Sequence, residues 1–448
     1  MTARELAMNV LTQVEQEGAY SNLLLNTALQ KASLEKGDAG LATELVYGTI
    51  SRLNTLDYFL DRFVKKGTAK LQPWVRALLR LSLYQIVYLD RIPDHAVVSE
   101  AVNLAKRRGH QGISGMVNGV LRSILRQKEE LVIPDNLSPA DQISLRHSHP
   151  KWLVERWIEQ YGEDTAEAIC KANNEPPAVS IRVNTTMISR DALLEEMNSR
   201  GFEAVSSELS PYGIIVKSGG NMAHTEWYKD GMISIQDESS MLVAEVVDPE
   251  PGMRVLDCCA APGGKTAHMG ELMKDDGLII ANDLHAHKQK LIAEQAERLG
   301  LDRIKTVTGN ALDLAQTYEP ASFDRVLLDA PCSGLGVIRR KPDLKWVKTP
   351  EDIGEIASLQ RELLQSVSTL VRPGGVLVYS TCTIEPGENE GAVAAFLADN
   401  PNFEVADNEN GSISRIMKNA LPKGGGVQIL PQHFHSDGFY IIRLRRLS

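Results

Sequence analysis

Two cysteines lie where a thiol could take part in chemistry. Cys382 follows the apolar run GGVLVYST (374–381), and Cys332 follows the run VLLDAP (326–331). Cysteine usually serves as a small buried hydrophobe, so thiols just past two strand ends indicate a reactive role. The residues after Cys382, EPGEN (385–389), predict an exposed loop. Because the carboxyl ends of parallel strands meet at one edge, we expect Cys382, Cys332, Asp329 and Lys265 to share a rim.

Three further strand ends carry polar side chains that suit a nucleoside. Asp257 precedes a loop of small residues, AAPGG (260–264), and a helix should begin near Gly264 or Lys265, with free backbone N–H groups. Asp283 ends the next strand, where an acidic residue typically accepts ribose hydroxyls. Asn310 and Asp313 follow a third strand, and either suits an adenine edge or a ribose. Since there is no phosphate-binding P-loop, the pattern favours an adenosine ligand without phosphates, such as S-adenosylmethionine.

Thiols beside a methyl sulfonium suggest one reaction. Cytosine C5 becomes nucleophilic only after a group adds to C6, and a thiolate is suited to that addition. A nearby cation such as Lys265 favours the thiolate, and Asp329 can hydrogen-bond the N3/N4 edge of the ring. Release of the product requires a second acid–base group, which gives the other cysteine a role. The spacing alone does not decide which of the two cysteines is the nucleophile.

The elements that must position these residues form a multidomain chain. Residues 1–130 predict an all-helical domain, in which Pro73 suits a helix start and Asp94 an N-cap. Residues 131–150 contain three prolines and predict a linker. Residues 151–228 predict a small α/β subdomain. Residues 229–448 alternate apolar strands with helices, which predicts a mainly parallel, Rossmann-like sheet covered on both faces.

Composition narrows the class of protein further. The 448 residues exceed one core, and 43% hydrophobic with 24% charged residues is ordinary for soluble proteins. No apolar run approaches the ~20 residues that span a bilayer, and the N-terminus lacks the apolar core of a signal peptide. Five scattered cysteines without a CxxC pair predict a cytoplasmic protein without disulfides. Three His-x-His pairs lack a third ligand, so we expect no metal, and nothing requires a dimer, so we expect a monomer.

Several of these segments carry a family resemblance. DCCAAPGGKT (257–266), DAPCSG (329–334) followed by GVIRRKPDLKW (336–346), and STCTIEPGENE (380–390) resemble the RNA cytosine-C5 methyltransferases of the RsmB (Sun, Fmu) and NSUN group. RVN (182–184), SIQDESSML (234–242) and SDGFYIIRLRR (436–446) are similar to further blocks of that family. The segments 42–57, 79–106 and 117–125 resemble the NusB-like RNA-binding helical domain. That combination is typical of family members that act on 16S ribosomal RNA.

The resemblance implies a role for each candidate residue. Cys382 would be the nucleophile, and Cys332 would assist product release. The residues that would bind S-adenosylmethionine are Cys259, Ala260, Ala261, Pro262, Gly263, Gly264, Lys265, Asp283, Asn310 and Asp329. Asn310 stands where the family commonly has aspartate, so Asp313 is kept as an alternative contact.

Charge indicates an RNA partner in spite of a net charge of −10. Residues 1–130 are mildly basic, with 17 basic and 13 acidic residues. The stretch RRKPDLKWVK (339–348) follows Cys332, and phosphate contacts are expected from Arg339, Arg340, Lys341 and Lys345, the alternative being a solvated loop. The target cytosine should be unpaired or flipped out of its stack. Two other functions share these features: a transfer-RNA cytosine methyltransferase, and a NusB-like RNA-binding factor without catalysis.

Overall fold

The structure, a computed structural model, describes residues 1–18, 20–32, 34–407, 410–418 and 420–447. The chain divides into two compact units. The first joins Met1–Glu175 with Ile338–Val347, and the second joins Pro176–Val337 with Lys348–Ser448. Each unit is described by itself.

Helices build the first unit. Apolar residues three and four positions apart place Leu6, Leu45, Leu78 and Leu121 from four different helices in one buried core. Pro73 begins α5 as predicted, whereas Asp94 is the first residue of α6 and not its N-cap, which is Pro93. The helices are α1 (Ala3–Glu17), α2 (Ser21–Lys31), α3 (Lys36–Ser51), α4 (Leu53–Leu60), α5 (Pro73–Tyr88), α6 (Asp94–Arg108), α7 (Gln111–Arg126), α8 (Pro139–His147), α9 (Lys151–Tyr161) and α10 (Glu163–Ala172).

The segment predicted as a linker, 131–150, contains helix α8. Ser138 caps this helix by accepting a hydrogen bond from the Asp141 N–H, and Asn54 of α4 donates to Ser144 Oγ over 2.9 Å. Helices α9 and α10, which we predicted to belong to the small α/β subdomain, lie in the first unit. Prolines marked the ends of α8, but a helix with so few apolar residues gave no periodic signal.

A small antiparallel sheet opens the second unit. Its strands are arranged in the order β2-β3-β1-β4, and β1 pairs antiparallel with both β3 and β4. The elements are β1 (Val179–Val183), α11 (Arg190–Ser199), β2 (Glu203–Ser206), β3 (Gly213–Ser218), α12 (Glu226–Lys229) and β4 (Ile233–Ile235).

A nine-stranded sheet dominates the second unit, in the order β11-β12-β13-β9-β8-β5-β6-β7, with β10 beside β13. Strands β5 to β9 pair in parallel, as predicted, and β13 runs antiparallel to β9. The chain returns across β5 to form β8, so β5 and β8 flank the switch point where open α/β sheets bind ligands. The elements are α13 (Glu238–Val247), β5 (Arg254–Asp257), α14 (Gly264–Leu272), β6 (Leu278–Asp283), α15 (Ala286–Arg298), β7 (Ile304–Thr308), α16 (Leu314–Thr317), β8 (Phe323–Asp329), α18 (Pro350–Ser368), β9 (Val371–Thr381), α19 (Glu390–Asp399), β10 (Phe403–Val405), α20 (Ser412–Met417), β11 (Leu421–Lys423), β12 (Gly426–Ile429) and β13 (Phe439–Arg446).

Residues 338–347, including α17 (Leu344–Val347), belong to the first unit and complete it. Asp343 accepts a hydrogen bond from Ser21 Oγ over 2.5 Å, and Trp346 Nε1 donates to the Ile50 carbonyl over 2.8 Å. The helical unit therefore consists of two segments, Met1–Glu175 and Ile338–Val347, that are separated by more than 160 residues of chain.

Candidate active site

Lys265 and Asp329 form an ion pair at the carboxyl end of the parallel sheet. Asp329, the last residue of β8, accepts hydrogen bonds from Lys265 Nζ and from Ser380 Oγ, the latter over 2.7 Å. Burial by itself lowers the pKa of Lys265, but the neighbouring Asp329 carboxylate outweighs it, and the pKa is raised. Lys265 therefore holds a positive charge at this rim.

The two thiols predicted to react are in contact. Cys332 follows β8 and Cys382 follows β9, and these strands pair in parallel so that Asp329 lies opposite Ser380. The two Sγ atoms are 3.3 Å apart. The hydrogen bond to Cys382 is the largest cause, and burial the second, of a Cys332 pKa well above its ordinary value. Cys332 is thus a neutral thiol in hydrogen-bond contact with the Cys382 sulfur, and either sulfur can be the donor.

Three backbone segments meet tightly behind Cys382. The Gly336 N–H donates to the Cys382 carbonyl over 3.0 Å, and the Gly438 N–H donates to the Gly336 carbonyl over 2.8 Å. A Cβ on Gly336 would lie 2.1 Å from the Gly438 oxygen and 2.8 Å from the Cys382 oxygen. Only glycine fits at 336, because any larger residue would displace the backbone of Cys382.

The loop after Cys382 is present as predicted, but most of it is buried. Glu385, Glu388 and Asn389 are 0% exposed. Glu388 accepts hydrogen bonds from the Ser333 N–H over 2.8 Å and from Gln360 Nε2 over 3.1 Å. Sequence reasoning missed Glu388 and Gln360, because turn residues around a glutamate are more typical of a solvated loop than of a buried one.

The small-residue loop predicted to bind the cofactor precedes α14. Gly263, with φ of 103°, immediately precedes α14, which begins at Gly264 as expected. Asp283 Oδ2 accepts a hydrogen bond from the Ala261 N–H over 3.3 Å, and its Oδ1 accepts one from the His285 N–H over 3.1 Å. The carboxylate therefore holds the loop while its remaining lone pairs can accept from a ligand.

Asp257 and Cys259 flank the start of this loop and lie deeper. Thr266 Oγ1 donates to Asp257 over 2.7 Å, and burial raises the pKa of Asp257 to about 7. Burial also raises the pKa of the Cys259 thiol. Cys259 is accordingly a neutral thiol, unlike what a nucleophile requires.

Asn310 and Asp313 lie beyond the end of β7, and both are exposed. Asn310 Oδ1 accepts a hydrogen bond from the Leu312 N–H over 3.1 Å and so caps the 3-10 turn Ala311–Asp313. This hydrogen bond fixes the orientation of the Asn310 side-chain amide. Either residue stays a candidate for the adenosine.

Arg182 of β1 supports the small-residue loop from the small sheet. Its Nε and Nη2 donate to the two oxygens of Glu271 over 3.0 and 2.7 Å, and its Nη1 donates to the Gly264 carbonyl over 2.9 Å. The Arg182 and Glu271 side chains are 0% and 2% exposed. The sequence RVN (182–184) indicated a resemblance to the family, but it did not predict the contacts of Arg182 with Glu271 and Gly264.

The basic stretch expected to contact RNA requires a correction. Lys345 is 0% exposed, and its Nζ donates to the Ser51 carbonyl over 2.9 Å and to Asn174 Oδ1 over 3.3 Å. Arg339 is also buried, and its Nε donates to the Ala172 carbonyl over 3.0 Å. Both cations complete the core of the helical unit, so neither reaches a phosphate in this structure. Arg340 is partly buried and Lys341 is exposed.

Within the residues that the structure describes, no group of three or more His, Cys, Asp or Glu side chains could hold a metal ion. No described helix combines the length and apolarity that crossing a bilayer requires.

The parallel sheet with its switch point, the small-residue loop and the acidic strand ends define a Rossmann-like methyltransferase domain. Residues 244–445 match the family described as 16S rRNA methyltransferase RsmB/F, residues 1–126 match the NusB family, and residues 149–223 match the ferredoxin-like domain of RsmF/B-like methyltransferases. The chain belongs to the RsmB/F methyltransferase family. These matches confirm the predicted NusB-like domain, small α/β subdomain and methyltransferase domain.

Individual relatives agree with this assignment. The chain is 45% identical to the probable ribosomal RNA small subunit methyltransferase B of Bacillus subtilis, over 99% of both chains. Among solved structures, that of PH0851 superposes with a TM-score of 0.82 at 28% identity, over 100% of this chain and 99% of the other. NSun6 from Pyrococcus horikoshii, solved with SFG, gives a TM-score of 0.60 at 25% identity, over 67% of this chain and 98% of its own.

Proposed function

We propose that this protein transfers a methyl group from S-adenosylmethionine to C5 of a cytosine in 16S ribosomal RNA, through a covalent bond between Cys382 and C6. The observation that carries the proposal is the contact between the two sulfurs, 3.3 Å apart, beside the Lys265–Asp329 ion pair. The assignment of 16S ribosomal RNA follows from the family and from the names of its members.

The residues around the small-residue loop fit the cofactor. Backbone N–H groups at the start of α14 and the Asp283 carboxylate suit the adenosine, and no Cβ fills the space at Gly263 and Gly264. Residues 259–265, Asp283, Asn310 or Asp313, and Asp329 would hold it. When bound, S-adenosylmethionine supplies an electrophilic methyl group.

Cys382 acts as the nucleophile in this proposal. Its thiolate sulfur forms a bond to C6, and the electron pair of the C5–C6 double bond becomes available at C5 for methylation. The choice of Cys382 as the nucleophile and Cys332 as the assisting thiol follows the family resemblance, and the contact between the two sulfurs is compatible with it. The Lys265 ammonium, held by Asp329, lowers the energy of negative charge at the rim.

Product release restores the aromatic ring. The proton on C5 is lost to a base, its bonding pair reforms the C5–C6 double bond, and the Cys382 sulfur departs with the electrons of the S–C6 bond. The Cys332 thiol, in contact with that sulfur, donates a hydrogen bond to the departing thiolate. The Asp329 carboxylate has acceptor sites beyond those used by Lys265 and Ser380 for the amino group of the cytosine.

The two cysteines give the test. With unmodified 16S ribosomal RNA and labelled cofactor, we expect Cys382→Ala to abolish methyl transfer. Cys332→Ala should accumulate a covalent protein–RNA adduct that is visible on a denaturing gel. Undiminished methyl transfer by Cys382→Ala would contradict the proposal. It would also be contradicted if bisulfite mapping with and without this gene showed loss of methylcytosine only in transfer RNA.

A further inference from the structure

Glu388 is a buried carboxylate beside the two thiols that the reaction above does not use. It lies in the loop between β9 and α19 and is 0% exposed. Burial is the largest cause of a raised pKa for this carboxyl. A buried acidic group is unfavourable unless it is well hydrogen-bonded, so its partners indicate what it does.

One oxygen of Glu388 fixes the loop that carries Cys332. Its Oε2 accepts from the Ser333 N–H over 2.8 Å and from Gln360 Nε2 over 3.1 Å. The same Gln360 nitrogen donates to the Pro331 carbonyl over 2.9 Å. The residues on both sides of Cys332 are thereby tied to one carboxylate.

The Cys382 loop is tied to the same group. Thr383 Oγ1 lies 3.5 Å from Glu388 Oε1, and it also lies 2.8 Å from Ser333 Oγ. The Tyr379 hydroxyl donates to the Glu388 carbonyl over 2.6 Å, which anchors this residue to strand β9. The residues that follow each cysteine therefore meet at Glu388.

We propose that Glu388 is a positioning residue that holds the Cys332 and Cys382 sulfurs at contact distance. A neutral side chain of the same shape keeps most of these bonds, because glutamine can accept from Ser333 through its oxygen and donate to Thr383 through its nitrogen. Alanine removes the contacts of the carboxylate, though not the bond from Tyr379 to the backbone carbonyl, and leaves the Ser333 N–H without its acceptor. The expected effect on methylation rests on the function proposed above, whereas the expected effect on the contact between the two sulfurs does not.

The experiment compares Glu388→Ala, Glu388→Gln and the wild type in the full-length protein. Glu238→Ala is the control, since Glu238 is another buried carboxylate of the second unit and accepts a hydrogen bond from Ser207. The first measurement is the rate at which oxidised glutathione produces a Cys332–Cys382 disulfide, followed by peptide mass spectrometry. One thiolate displaces glutathione from the reagent, and the second displaces the other half, so two thiols and one glutathione disulfide give one protein disulfide and two glutathiones.

We expect Glu388→Ala to slow disulfide formation and to lower kcat for methylation, each by about tenfold or more, because a misplacement near 1 Å costs a factor of that order or above. The KM for RNA should stay within about twofold of the wild-type value, since Glu388 does not contact the bound RNA in the proposed reaction. Glu388→Gln should recover most of both rates, and Glu238→Ala should retain them. If Glu388→Ala does not fold, Gln360→Leu removes the link to Pro331 and is expected to slow both rates in part.

Disulfide formation at the wild-type rate in Glu388→Ala would overturn the positioning role. An equally slow rate of disulfide formation in Glu388→Gln and Glu388→Ala would overturn it too. The decrease in rate would then depend on the charge of Glu388 and not on its hydrogen bonds. Since disulfide formation requires no RNA, a wild type that fails to methylate cytosine would refute the proposed function while leaving this test intact.

Discussion

The buried ion pair between Arg182 and Glu271 offers the sharpest test of how the small sheet supports the small-residue loop. Arg182→Met keeps the length of the side chain but leaves the Glu271 carboxylate, only 2% exposed, without its cation. Breaking a buried pair on one side typically costs about 3–5 kcal/mol. At about 2–4 °C per kcal/mol for a unit of this size, the midpoint of unfolding should fall by roughly 6–20 °C.

The double variant Arg182→Met with Glu271→Met separates the pair from its surroundings. It removes both charges, so the desolvation penalty disappears along with the attraction. What remains is the loss of the Arg182 donations to the Gly264 carbonyl, to Gln236 Oε1 and to Ser234 Oγ, each worth about 0.5–1.5 kcal/mol. The double variant should therefore be more stable than the single variant, though less stable than the wild type.

Scanning calorimetry of the full-length protein measures the transition of the second unit, and titration calorimetry measures S-adenosylmethionine binding. Because Arg182 contacts the Gly264 carbonyl at the first residue of α14, both variants should bind the cofactor more weakly than the wild type. Equal stability of the single and double variants would refute the reasoning, since it would mean that the unpaired Glu271 carboxylate carries no penalty. Arg190→Met, at a side chain paired with the exposed Asp191, is a control that should shift neither quantity.

Three further predictions follow from individual contacts. Gly336→Ala should lower methyl transfer at least about tenfold, because its Cβ would lie 2.1 Å from a backbone oxygen; Gly387→Ala, with nothing within 4 Å of the added Cβ, should keep wild-type activity. Burial raises the pKa of Asp257 to about 7, so between about pH 4 and 7 the folded state holds a proton that the unfolded state has lost, and stability falls as pH rises. Asp257→Asn should remove that part of the fall, about 3 kcal/mol between pH 5 and pH 8, as measured by urea unfolding at those two pH values. Lys341→Ala should reduce the slope of log binding constant against log salt for single-stranded RNA by about 0.7, while Lys345→Met should leave the slope unchanged; an equal loss in both would contradict the burial of Lys345.

Much of the architecture and of the candidate site was predictable because it depends on local pattern. Helical periodicity gave the first unit, and short apolar runs that end in Asp257, Asp283 and Asp329 gave the parallel strands. Parallel strands bring their carboxyl ends to one edge, so the spacing of polar residues after each run was enough to place the candidate residues on one rim. The helix within 131–150 was not predicted, because only Ile143 and Ser144 of α8 are buried and its sequence carries no apolar stripe.

What the sequence by itself determined is therefore which residues end the strands and which side chains could react there. The tertiary structure decided the rest: that the Cys332 and Cys382 sulfurs touch, that Glu388 is buried between their loops, and that Lys345 belongs to a helical core. A glutamate in a glycine-containing turn and a lysine in a basic run have the same sequence signal whether they face water or protein. Their burial depends on residues such as Ser333 and Ser51, 55 and 294 positions away, and only folding brings those partners within hydrogen-bonding distance.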